Sequence, residues 1–181
     1  MTDIATSETS ALSNTQGTTC KIGRFINPAE GLRIVQVASS WESTPYALVG
    51  INSIKGKRGD CSGSSHHIYS EAGFPYPYQT SKTITEYIDK SHRFRAIAGT
   101  TADPAQDGDL IVWPGGHIAI YANFAPNDAR ATNRFGKKNN MWSAHYPGGP
   151  AYGAERAEGF RKNEKIYFYR HYLLPGDPGC P

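Results

Sequence analysis

The chain has 181 residues, 38% of them hydrophobic, and 19 Lys and Arg against 16 Asp and Glu give a formal net charge of +3. That length fits one domain with its own core, and no apolar run approaches the roughly 18 residues of a membrane-spanning helix. Apart from Lys55-Gly56-Lys57-Arg58 and Lys137-Lys138 the cations are scattered, so neither nucleic acid nor a membrane is expected as a partner, whereas an anionic polymer would suit the charge.

Residues 1–27 read as a flexible polar N-terminal segment, and residues 28–181 as a single domain. The first 19 residues are rich in Ser and Thr and lack an apolar h-region, which excludes a Sec-type signal peptide. The cysteines Cys20, Cys61 and Cys180 make no metal spacing. Cys20 and Cys180 either pair in an oxidising compartment or stay as two thiols near the chain ends; Cys61 is left free.

From Pro28 the pattern turns helical, with Leu32, Val35, Ala38 and Trp41 on one predicted face. Thr44-Pro45-Tyr46 breaks it, and residues 52–59 form a polar loop. Gly59-Asp60-Cys61-Ser62-Gly63 then opens a second helix, which runs to about Ala72 with Gly73 as its stop. Asp60 is its N-cap. The helix N-terminus favours the anionic form of a Cys in its first turn, so Cys61 is expected to be a low-pKa nucleophile.

Residues 74–78 are an extended connection, and Thr83-Ile84-Thr85-Glu86 has the form of a capping box opening a short helix to about Lys90. After a turn over residues 103–108, Asp109-Leu110-Ile111-Val112-Trp113 and His117-Ile118-Ala119-Ile120-Tyr121-Ala122 read as a hairpin joined by Pro114-Gly115-Gly116. Residues 124–140 are a long polar excursion. A third strand over 141–145, a Gly-rich loop over 146–159 and a last strand over 166–169 complete the chain. Helices first and an antiparallel sheet afterwards predict an α+β domain.

A helix-borne cysteine followed by a strand-borne histidine is the papain-like order. Thr44-Pro45-Tyr46, Asp60-Cys61-Ser62-Gly63, Gly73-Phe74-Pro75, Asp107-Gly108-Asp109-Leu110 and Gly116-His117-Ile118-Ala119-Ile120-Tyr121 occur in that sequence. Together they resemble the NlpC-type superfamily of bacterial cell-wall cysteine peptidases and amidases, over roughly residues 28–145. The resemblance implies N-terminal helices packed on a small antiparallel sheet. It implies Cys61 as nucleophile, His117 as base and then acid, and a polar residue after the histidine strand that orients His117. His145 is the match, with Asn139 or Asn140 as substitutes. It also implies Tyr46 and the Cys61 backbone N–H at the oxyanion site, and Asp60 and Ser62 bordering the substrate groove.

The chain departs from that pattern. Ser64-Ser65-His66-His67 stands where large apolar residues are usual, Val49-Gly50 replaces a glycine pair, and the gap between His117 and His145 is long. Each reading has a plainer rival: a structural thiol for Cys61, a strand-end histidine for His117, a core aromatic for Tyr46, a helix cap for Asp60. His66, His67, His92 and His171 read as ordinary surface or half-buried residues, and a zinc site on His66 and His67 lacks further ligands.

The resemblance implies cleavage of an amide in peptidoglycan, in the stem peptide between D-Glu and diaminopimelate, with the muramoyl–L-Ala amide as the alternative. No metal or cofactor is implied. A chain with no Sec signal and no wall-binding module resembles amidase toxins delivered by type VI secretion into the periplasm, and also phage lytic enzymes. Such a toxin requires an immunity protein plugging the groove, with the 124–140 excursion as a contact. A binding protein with a dead site is the second class. The acyltransferase branch ranks last, because here Cys61 precedes His117. A Cys–His ion pair predicts a bell-shaped pH profile.

Overall fold

Asn27 starts the first helix with a reciprocal capping box: its side chain accepts from the Glu30 N–H, and the Glu30 carboxylate accepts from the Asn27 N–H. The computed structural model describes residues 22–97, 104–144 and 151–179. Within them lie three α-helices, α1 (Pro28–Ser39), α2 (Cys61–Glu71) and α3 (Ile84–Ser91). The strands are β1 (Arg24–Phe25), β2 (Phe94–Ala96), β3 (Leu110–Trp113), β4 (His117–Tyr121), β5 (Met141–Ser143), β6 (Gly153–Glu155) and β7 (Tyr167–Leu173). The molecule is an α+β domain, as its sequence predicts.

All strand pairings are antiparallel, in the order β1-β7-β3-β4-β5-β6, with β2 also on β7. The β3–β4 hairpin lies where it is predicted, one residue shorter at the outer end of each strand, and pairs Trp113 with His117. Every residue of both strands is buried, because the sheet is covered twice, which is why they read as continuous apolar runs. Ile34, Ala38, Ile68, Tyr69, Ile84 and Phe94 cover Leu110, Val112, Ile118 and Ile120 on one face. Ala157, Phe160 and Ile166 cover Ile111, Trp113, Ala119 and Tyr121 on the other. The Asp-Gly-Asp turn before β3 is a brace: Asp109 takes Arg170 of β7 at 2.9 Å through both its oxygens.

Several expectations are corrected. The buried face of α1 is Gly31, Ile34 and Ala38, and Leu32 is exposed. A Cβ on Gly31 would lie 1.9 Å from the Asp107 carbonyl oxygen, so α1 approaches that turn through Gly31 and Ile34 at its start, while the predicted Ala38 and Trp41 are buried. The capping box at Thr83 does not form, since Thr83 Oγ1 accepts from the Thr80 N–H at 3.0 Å and Glu86 pairs with Lys90.

Strands β1, β2 and β6 carry too few residues for a period-2 pattern, and β7 runs to Leu173, beyond the predicted end. Arg24 and Phe25 of β1 fall in the segment expected to be flexible. His171 is fully buried on β7, opposite Phe94. Residues 1–21, with Cys20, and also Cys180 and His145 lie outside the described residues. No described helix is long and apolar enough to cross a membrane.

Candidate active site

Helix α2 begins on Cys61, with Asp60 as N-cap accepting from the Gly63 N–H at 2.9 Å. The Asp60 carboxylate is buried and does more than cap. It also accepts from Ser62 Oγ at 2.9 Å, the Val49 N–H at 2.8 Å and the Gly50 N–H. One carboxylate therefore fixes the helix start to the loop ahead of it, and its oxygens are occupied by four donors. Gly63 lets the two approach: a Cβ there would sit 1.9 Å from the Gly50 carbonyl oxygen.

Tyr46 is placed by a parallel bridge to Gly59, through Gly59 N–H to Pro45 O at 2.9 Å and Ala47 N–H to Gly59 O at 3.0 Å. Burial, with the nearby charges of Cys61 and Asp60, pushes its phenol up to about 12. Its hydroxyl thus keeps its proton at neutral pH and can donate.

His117 opens β4. Its ring lies between Trp113, with centroids 5.6 Å apart, and Phe160, at 4.9 Å. The outer nitrogen Nε2 is 2.6 Å from Ser143 Oγ, and that hydroxyl also reaches the Ala144 carbonyl at 3.4 Å. Ser143 is on β5, which pairs with β4. The sequence reading missed it, although a polar residue inside Met141-Trp142-Ser143-Ala144 is a visible signal. The substitutes Asn139 and Asn140 are committed elsewhere, Asn139 to Arg130 O at 2.8 Å and Asn140 to Glu158 and the Ala157 N–H.

Cys61, His117, Tyr46, Asp60 and Ser62 line one cavity of about 380 Å³, together with Tyr78, Thr80, Ser81, Phe160 and Arg161 among others. Of the residues expected at the site, only His145 is undescribed. Phe160 and Arg161 fall just past the loop read at 146–159, and no pattern in the sequence singles them out. Tyr78 enters through a 3.1 Å contact of its hydroxyl with Ser62 Oγ.

The electrostatics of Cys61 differ from the expectation. Burial pushes the thiol up to about 11, with the Asp60 charge adding to the rise; the backbone N–H groups of Ile118, Ser62 and Cys61 itself oppose it. Desolvation outweighs the helix N-terminus.

Comparison with protein-family models gives no match to this chain, and comparison with curated proteins gives none either. Among the described residues, no group of three His, Cys, Asp or Glu side chains is placed to hold a metal ion. The chemistry of the cavity is that of a thiol, an imidazole and a phenol.

Proposed function

We propose that the protein is a papain-like cysteine hydrolase of NlpC type that cleaves an amide bond in peptidoglycan, the bond between D-Glu and diaminopimelate in the stem peptide first. The observation that carries the reading is the meeting of Cys61 and His117 in one cavity, with Ser143 on the outer ring nitrogen. The substrate class comes from the sequence resemblance.

In this reading Ser143 accepts from Nε2–H, which leaves Nδ1 as the basic atom. As the Cys61 sulphur attacks the amide carbon, its proton passes to His117. The oxyanion forms against the Cys61 N–H and the Tyr46 hydroxyl. The C–N bond then breaks, and His117 returns the proton to the leaving amine. Water, deprotonated by His117, hydrolyses the thioester, releasing the acid and restoring the thiol. With a thiol near 11, proton transfer accompanies attack. A preformed Cys–His ion pair, and the bell drawn from it, is therefore not expected.

The muramoyl–L-Ala amide is the alternative bond. Action in the periplasm as a type VI-delivered toxin or a phage lytic enzyme belongs to the same proposal, as does an immunity protein that covers the cavity mouth. A half-buried thiol pushed up to about 11 also favours a second reading, a non-catalytic protein that holds wall fragments in the same groove. Digestion of purified peptidoglycan by the wild type and Cys61→Ala, read by mass spectrometry, separates them. New fragments from the wild type alone support the hydrolase, and their masses give the bond. Bound but uncut material supports the second reading, and equal cutting by both proteins rejects Cys61 as nucleophile.

A further inference from the structure

The cavity wall holds a charge that the proposed reaction does not use. Arg161 is the one Arg or Lys among the described residues that line it, and Asp60 is the one carboxylate, already occupied. The Arg161 side chain is 36% exposed, so a ligand can reach it.

Its position is fixed from two sides. The preceding residue, Phe160, packs on the His117 ring. A Cβ on Gly116 would come within 2.9 Å of Arg161 Nε and 2.5 Å of Glu164 Oε2, so this pair rests on the backbone just before His117. Glu164 takes one edge of the guanidinium: Nε donates to Oε2 at 2.7 Å, and Nη2 lies 2.7 Å from Oε1. The edge formed by Nη1 and the remaining Nη2 proton has no partner among the described residues. That edge is the fork that a carboxylate accepts with both oxygens.

The two sides of the cleft differ. Tyr46 and Tyr78 come from the Cys61 side, through the Gly59 bridge and the Ser62 contact. Arg161 stands on the His117 side, where the leaving amine receives its proton. Resting on the hydrolase reading above, we infer that Arg161 is a substrate-binding residue that takes a free carboxylate on the leaving-group side of the scissile amide, with Glu164 as its positioning residue.

The test measures kcat and KM on a γ-D-glutamyl–diaminopimelate peptide and on the same peptide with its diaminopimelate carboxyls amidated. On the free acid, Arg161→Gln should lose on the order of tenfold to a hundredfold in kcat/KM, mostly through KM. On the amidated peptide, wild type and Arg161→Gln should be equal, and Arg161→Lys should fall between them on the free acid. An equal loss on both peptides would mean that Arg161 only braces His117, and would overturn the proposal; no loss on either would do the same. Those two outcomes leave the hydrolase reading standing provided Cys61→Ala is inactive. If Cys61→Ala matched the wild type, the hydrolase reading itself would be the one to fall.

Discussion

Ser143 touches the His117 ring at Nε2 without lying in the path of the thiol, so its substitution separates orientation from chemistry. Ser143→Ala should lower kcat by on the order of tenfold to a hundredfold while leaving KM and the melting temperature near the wild type. A matching fall in thermal stability would point instead to lost packing, since Ser143 is 1% exposed. Cys61 offers a second test at this scale. A thiol pushed up to about 11 is almost wholly protonated at neutral pH, so its alkylation rate by iodoacetamide should climb about tenfold per pH unit between pH 7 and 9. A plateau already reached by pH 8 would restore the preformed ion pair that the helix N-terminus suggests.

The element that sets the site is the joint between α2 and the loop before it. Gly63→Ala would drive a methyl group into the Gly50 carbonyl and Ser53 Oγ, at 1.9 and 2.1 Å. The expected cost is about 1–3 kcal/mol in urea denaturation, with activity falling further than stability because Cys61 moves with the helix. Unchanged activity in a folded Gly63→Ala would show that the joint does not govern Cys61.

The ends of α2 and the hairpin turn were legible in the sequence because their signals are local: Asp60 is a cap, Gly73 a stop, and Pro114-Gly115-Gly116 a turn; the tie from Asp60 back to Val49 and Gly50 was not. The parts that escaped depend on distant partners. Ser143 matters only because β5 lies beside β4, and Phe160 and Arg161 only because their segment folds back over the hairpin. The approach of α1 through Gly31 is to the turn at Asp107, far along the chain.

At the scale of the whole molecule, His171 couples stability to pH. Its ring is fully buried against Phe94, Phe74 and Tyr69, and neither ring nitrogen has a hydrogen-bond partner among the described residues. Burial, together with the Arg93 charge, lowers its pKa to about 3, while Asp177 and Glu30 act in the opposite sense. The folded value lies below the unfolded one of about 6.5. Stability from this group is therefore complete above pH 6.5 and drains away as pH falls toward 3, by up to about 1.4 kcal/mol per unit. Between pH 7 and 5, wild type should lose about 2 kcal/mol more than His171→Phe in urea denaturation. Equal losses in the two proteins would place the acid sensitivity elsewhere.

Strand β7 pairs with β1, β2 and β3, yet it comes after all of them in the chain. During synthesis, the first two strands therefore wait without a neighbour until residues 167–173 have left the ribosome. The β3–β4 hairpin that carries His117 can close early, but its β3 edge stays open over the same interval. The sheet should then close late and abruptly, once residues 167–173 are available, and folding should be slow for a domain of this size. On the proposed hydrolase reading, that delay would hold the nascent chain inert until β7 arrives.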